Sequence, residues 1–475
     1  MKKNISKKNV IIIGSGPLPN DSIGIREAAG LRTHQFAKTI SAAGHTIQLI
    51  CIHNNDDFSK QVIIDKQQNN KNLYKNTTIT RLHRQSRHLK KDILKIIKNE
   101  INVVNADLHP NNTNHIIIGV NTFPAFIAAQ TCPKNIPFWA DLNGWIMAES
   151  QARGFTEKTN LHFANAWKQE TLIIDKADKI STVSTAQKFC TIGEMASRGH
   201  MQYQNFLNEN IHALPNTTDF FKLDTPDKQN SQKLFRNSKV PKDSVVISHI
   251  GGYNNWVDTS TLFKAVDKAM STCPHLYFIS TGGAIKNVSN KPFTQFLDKI
   301  DKSKHKNRYI FLGWIETEDM QKVYQESDIG LNVDFLCIET QTGARNRLNE
   351  MLKFQLPIIT TGGSEIAEDI GTYGAGECID NEDVDALANT IIKMANLAKM
   401  SKLTPYKEKC QFIHEEIYNP QKIMIPVLDF IQNPNLRYKK PVEQNSTFSF
   451  LKNVFWYIQK NGISNSFNKA IQRFF

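Results

Sequence analysis

Apolar residues fall along this chain in short runs of strand length that alternate with longer stretches of helical period. Val10-Ile11-Ile12-Ile13 opens the series, and similar runs lie at 46–52, 77–82, 115–119, 137–141 and 179–183. Between them apolar positions recur every three or four residues, which predicts helices at about 30–43, 89–101, 122–131, 161–176 and 186–195. Continuous apolar runs suit strands buried on both faces, so the pattern predicts a parallel sheet covered by helices on each side.

A polar stretch after Pro215, including Asp224-Thr-Pro-Asp-Lys-Gln-Asn-Ser231, has no apolar cluster and reads as an interdomain linker. The alternation then restarts, with strands expected at 244–249, 276–281, 309–313, 329–333 and 357–360. Helices are expected at 259–271, 293–301, 318–325, 345–354 and 384–397. The organisation predicted is α/β: a first doubly wound domain over 1–215, a linker over 216–243 and a second such domain over 244–418. A return crossing helix over 419–436 and a tail over 437–475 complete it. In the tail Leu451, Val454, Phe455 and Ile458 recur at helical spacing, as do Ile463, Phe467, Ile471 and Phe474 after Gly462.

Composition narrows the picture. Hydrophobic residues at 40% and charged residues at 22% are ordinary globular values. There is no run of about eighteen apolar residues and no cleavage-site pattern at the N-terminus, so a cytoplasmic protein is expected. The seven cysteines are odd in number and dispersed, which suits reduced thiols. A net charge of +13 calls for an anionic partner. Basic residues concentrate at 60–100, with eleven Lys/Arg against three Asp/Glu, and at 437–475, with seven against one. Neither stretch carries a nucleic-acid motif, so no nucleic-acid partner is expected. The basic, amphipathic tail, with Trp456 and Tyr457, instead suits the anionic cytoplasmic face of a membrane or a fold-back onto the body or a second copy of the chain, a homodimer.

Ligands of open parallel sheets sit at the carboxyl ends of the strands, where loops and helix N-termini present N–H groups to anions. Gly14-Ser15-Gly16-Pro17 ends the first strand, and Arg32 lies near the start of the next helix. In the second half three successive strand ends carry glycine: Gly251-Gly252-Tyr-Asn-Asn-Trp-Val-Asp258, Thr281-Gly282-Gly283 and Gly313-Trp314. Such ends let a phosphate-bearing ligand approach the backbone. Arg345 and Arg347 flank the N-terminus of a predicted helix, where the dipole disfavours cations unless an anion is also bound, and Glu350 follows on a face that reaches toward a ribose. The alternative for these three is a solvated Arg pair bridged to Glu350. On the first domain Asp141 ends a strand and Glu149 follows it; each is either an acceptor-hydroxyl orienter or base, or a loop-bracing carboxylate. Arg32 is either an acceptor or phosphate contact or a plain surface residue.

The block over 328–363 resembles the donor-site block of the family-four retaining glycosyltransferases, with its Glu-x7-Glu, apolar helix and Gly-x-Pro-Val-Val-x-Thr. Gly30-Leu-Arg-Thr-His-Gln-Phe-Ala-Lys-Thr-Ile-Ser-Ala-Ala-Gly-His45 is similar to that family's first helix, and Asp383-Val-Asp-Ala-Leu-Ala388 to its late Asp-x-x-Ala-Leu-Ala. Ala140-Asp-Leu-Asn-Gly144, Glu149, Ile192-Gly-Glu-Met195 and Arg198-Gly199 resemble strings of a bacterial branch of it. The likeness covers roughly 8–432. It implies a GT-B fold and transfer of a sugar from a nucleotide-diphosphate sugar to a hydroxyl acceptor, retaining anomeric configuration, with neither metal nor cofactor. It also implies bacterial surface polysaccharide or glycolipid synthesis, with a sugar or lipid-linked acceptor.

Two departures stand out. Thr342 occupies the place of the first Glu, and Gly251-Gly252-Tyr-Asn-Asn-Trp256 replaces the usual Gly-Arg-x4-Lys clamp. Arg345 and Arg347 are then expected to hold the diphosphate, and Glu339 or Asp334 to meet the sugar hydroxyls. The departures also admit a binding or scaffold protein without turnover, and the fold admits a nucleotide-sugar epimerase or a phosphorylase.

Overall fold

Alternate residues of the first strand feed two separate cores, because successive side chains of a strand point to opposite faces. In β1 (Asn9–Ser15), Ile11 and Ile13 join one cluster with Ile50, Ile117 and Ile173, while Val10 and Ile12 join another with Phe36, Leu49 and Trp139. The computed structural model describes residues 6–19, 27–54, 63–65, 74–101, 114–218, 233–285, 290–441, 455, 458–460 and 462. The centre of the expected linker and nearly all of the tail's amphipathic pattern lie outside them.

The first sheet continues with β2 (Thr46–His53), β3 (Ile63–Asp65), β4 (Thr77–His83), β5 (His115–Val120), β6 (Phe138–Leu142), β7 (Lys179–Thr182) and β8 (Ile211–Ala213). Its order is β3-β4-β2-β1-β5-β6-β7-β8. All its pairings are parallel except β3 with β4. The second sheet contains β9 (Val245–His249), β10 (Leu276–Thr281), β11 (Tyr309–Gly313), β12 (Ile329–Asn332), β13 (Ile358–Thr361) and β14 (Gly376–Ile379). It runs β11-β10-β9-β12-β13-β14 and is wholly parallel. The chain reverses its direction of travel between β1 and β5 in the first sheet and between β9 and β12 in the second, so each domain has one crevice at its carboxyl edge.

One boundary differs from the expected one. The second domain begins before β9: the backbone N–H groups of Leu234, Phe235 and Arg236 donate to the Glu326 carboxylate at 2.6, 3.0 and 2.8 Å, and Phe235 and Val240 are buried in the second domain's core. The chain then crosses back. Helix Ile425–Gln432 returns Val427, Phe430 and Ile431, with Met424 just before them, to the core of the first domain. Among the described residues no helix is long and apolar enough to cross a membrane.

Candidate active site

The carboxyl edges of the two sheets face each other, and short helices make the contact. Helix Ile338–Thr342 of the second domain packs on helices Ile146–Glu157 and Thr185–Ser197 of the first. Ser184 Oγ donates to the Thr342 carbonyl at 2.6 Å, and the Thr185 N–H and hydroxyl both donate to Glu365 at 2.8 Å. A chain of amides also crosses between the domains. Asn143 Nδ2 donates to Asn121 Oδ1 at 2.9 Å, and Asn216 Nδ2 reaches Asn143 Oδ1 at 3.2 Å and Asn346 Oδ1 at 2.8 Å.

On the second domain the three glycine-bearing strand ends converge. Gly282 has φ of +73°, and a Cβ there would stand 2.4 Å from the Gly251 carbonyl oxygen, so only glycine lets the two loops touch. The Gly282 N–H donates to the Gly313 carbonyl at 2.7 Å, tying in the third loop, and a Cβ on Gly252 would meet Ile285 and Trp314. Tyr253 N–H bonds the Gly283 carbonyl at 3.0 Å. Of the N–H pair expected to meet a phosphate, Gly251 is already committed to Thr281 Oγ1 at 3.2 Å. The Gly252 N–H has no such partner among the described residues.

The two arginines part company. Arg347 reaches across the β9/β12 crevice, donating to His249 Nε2 at 2.8 Å and to the Gly252 carbonyl at 3.0 Å, which leaves further N–H groups of its fork for an anion. Burial, reinforced by the Arg347 charge, holds His249 far below the usual imidazole range. It stays neutral and accepts, which makes it a brace for Arg347. Arg345 is closed off: its guanidinium donates to Asp334 at 2.7 Å and to both oxygens of Glu339 at 3.2 and 2.8 Å, and the group is 4% exposed. This corrects the expectation that Arg345 grips a diphosphate, since carboxylates fill the fork a phosphate needs. Glu350 is buried and accepts from the Tyr324 hydroxyl, so its expected reach to a ribose is replaced, on that side, by an inward hydrogen bond.

On the first domain Asp141 and Arg32 are both fully buried and spent on each other. Arg32 Nε and NH2 donate to the two Asp141 oxygens at 3.0 and 2.7 Å, and Ser181 Oγ adds a third bond at 2.6 Å. Arg32 NH1 goes to Gln35 and the Pro215 carbonyl. Neither residue is available to an acceptor, and the expectations for both are corrected. Gly16 serves packing: a Cβ there would overlap the His53 ring.

Glu149 is different. It stands in the first turn of helix Ile146–Glu157, which packs on helix Ile338–Thr342 of the second domain, and the residue itself remains exposed. Desolvation of its carboxyl and the charge of Glu339 push it up to about 7, against the opposing pull of Arg345. Burial likewise raises Glu339, with Arg345 pulling it back. Behind Glu149 lies a pair that sequence reasoning missed. Burial, then the charges of Glu194 and Glu149, raise Glu170 well above the carboxylate range, so it holds a proton next to Glu194. Glu194 in turn accepts from Trp145 Nε1 at 3.0 Å, just before the Glu149 helix.

With the geometry in place, the chain can be set against known proteins. Residues 244–396 match the family model described as Glycosyl transferases group 1. No curated protein matches the chain in sequence. Among solved structures, sucrose-phosphate synthase from Thermosynechococcus elongatus is 13% identical, with 89% of this chain and 98% of that one covered and a TM-score of 0.62. The Anabaena protein HepE, in complex with UDP and glucose, is 12% identical, with 89% and 99% covered and a TM-score of 0.59. The N-terminal domain of Candida albicans trehalose-6-phosphate phosphatase is 13% identical, with 92% and 99% covered and a TM-score of 0.61.

The fold is GT-B. In this GT-B chain the glycine loops, Arg347 and Glu339 lie on the second-domain wall of one cleft and Glu149 on the first-domain wall. The only signals in sequence for His249 and Glu170 were a buried-strand histidine and a helix-borne glutamate, neither distinctive.

Proposed function

We propose that this chain is a glycosyltransferase that moves a sugar from a nucleoside diphosphate sugar to a hydroxyl acceptor with retention of anomeric configuration. The observation that carries the reading is the convergence of Gly252, Gly282 and Gly313 with Arg347 at the β9/β12 crevice, inside the segment that matches the group 1 family. Departure of the diphosphate develops negative charge, and preorganised donors at that place lower the barrier. The Gly252 N–H and Arg347 supply them without a bound metal. Trp314, 48% exposed at the end of β11, offers a flat face to the base, and Gly283 closes the same wall. Arg345 acts at one remove, holding Glu339 and Asp334 in position for the sugar hydroxyls. Glu149 orients the acceptor hydroxyl or takes its proton.

HepE binds UDP, which makes UDP the first nucleotide to test. Calorimetry with UDP and with uridine is the experiment. Arg347→Ala should weaken UDP binding by about 1.5–3 kcal/mol, the worth of charge-assisted hydrogen bonds, and leave uridine binding nearly unchanged. Equal losses for both ligands would remove Arg347 from the phosphate site. Release of UDP from UDP-glucose in the absence of acceptor would separate turnover from mere binding.

We also assign the protein to the cytoplasmic face of a bacterial membrane, in surface polysaccharide or glycolipid synthesis with a sugar or lipid-linked acceptor. Support comes from the seven basic residues against one acidic residue over 437–475 and the apolar periodicity that accompanies them.

A further inference from the structure

Between helix Thr185–Ser197 and β8 the chain presents Met201, Tyr203, Phe206 and Leu207, each between 65% and 92% exposed. Four large apolar side chains at that exposure within one short loop are more than a domain surface ordinarily scatters singly. The same loop holds the start of the tail. Asn205 Nδ2 donates to the Tyr438 carbonyl at 3.2 Å, and Gln202 Nε2 to the Lys440 carbonyl at 2.6 Å. Just upstream, Arg437 is buried, its N–H on Asp178 Oδ1 at 2.9 Å and its Nε on the Ala177 carbonyl at 3.0 Å. The chain therefore leaves the body beside the apolar loop.

We propose that the loop carrying Met201, Tyr203, Phe206 and Leu207 is a second lipid-contacting element, inserting into an anionic bilayer next to the tail. The proposal rests on the membrane reading given above. Charge decides for lipid over a cover formed by the chain itself. The acidic groups nearby are already matched: Asp175 by Arg198 at 2.6 Å, Asp178 by Lys439 at 2.7 Å and Glu209 by Lys188 at 2.6 Å. The tail that leaves the body here bears Lys452, Lys460, Lys469 and Arg473 against Glu443, and anionic headgroups supply a counter-charge for every cation. Tyr203 and Tyr438 have the ring-and-hydroxyl character that suits the headgroup level. The loop and the clamp both lie at the amino-terminal ends of β7 and β8, opposite the carboxyl edge, so a bilayer there leaves the cleft open.

The test is flotation of the full chain with vesicles of phosphatidylglycerol and phosphatidylcholine, and with phosphatidylcholine alone. Phe206→Ser combined with Leu207→Ser should lower partition onto the anionic vesicles about ten-fold or more, as expected when two large apolar side chains stop inserting. Its melting temperature and UDP affinity should match the parent. A tail variant, Phe467→Ser with Ile471→Ser, should lower partition independently. If the loop variant floats as well as the parent, the loop proposal fails and the tail anchor stands. If the parent itself does not float, the membrane reading fails with it. A fall in melting temperature with unchanged flotation, meaning the tail covers the loop, or a dimer-to-monomer change by light scattering also overturns the proposal.

Discussion

Asp141 and Glu149 come from one strand-to-helix segment and have opposite fates. Asp141 is locked to Arg32 with both carboxylate oxygens engaged, whereas Glu149 stands in the cleft with its proton held to about 7. Arg32→Ala should therefore act on stability: removing one member of a buried pair leaves an uncompensated charge and costs about 3–5 kcal/mol, measurable by urea unfolding. Glu149→Gln should act on chemistry. A proton acceptor works when deprotonated, so the parent's turnover should rise with pH through about 7 and the variant should lose that limb. An unchanged profile would assign Glu149 to orientation alone. Glu170 provides a stability test. Its pKa is raised on folding, so its contribution is complete below the ordinary carboxylate range and is lost as pH rises above it. The parent's melting temperature should fall more between pH 5 and pH 8 than that of Glu170→Gln, and parallel curves would show that Glu170 does not hold its proton.

At the scale of elements, hydrophobic period located the long strands and helices because both faces of each sheet are covered, so β1 reads as an unbroken apolar run and β2 and β9 as mostly apolar ones. It missed β3, β8 and β14, which are edge strands of only three or four residues, too short to show a period. It also missed helices Ile146–Glu157 and Glu365–Tyr373, whose buried residues are few. In the site, glycine at successive strand ends was legible because glycine is demanded there by geometry. The pairings Arg345 with Glu339 and Arg32 with Asp141 were not, since each joins residues whose proximity exists only after folding. Gly282→Ala tests the convergence directly. It sets a Cβ against the Gly251 carbonyl at a φ of +73°, a strain of about 1–3 kcal/mol. UDP affinity should fall with stability, and retention of both would show that the loops can separate without consequence.

For the molecule as a whole, the domains meet through polar contacts, as is usual for surfaces that must part. Glu365 of the second domain accepts from both the N–H and the hydroxyl of Thr185 at the start of a first-domain helix, and Glu365→Ala should favour the open arrangement. Small-angle scattering at saturating UDP should give a larger radius of gyration for the variant than for the parent, and coincident curves would count against the latch. The crossing helix bears on how such a chain is made. Because Met424, Val427, Phe430 and Ile431 pack against Phe36 and Trp139, the first domain's core lacks part of one wall until residues 424–431 have emerged from the ribosome. The second domain has its own residues in hand by Tyr418. Synthesis from the N-terminus ordinarily completes the N-terminal unit first; here the order is reversed, and the nascent first domain waits, partly uncovered, for the finished second domain to bring the crossing helix home.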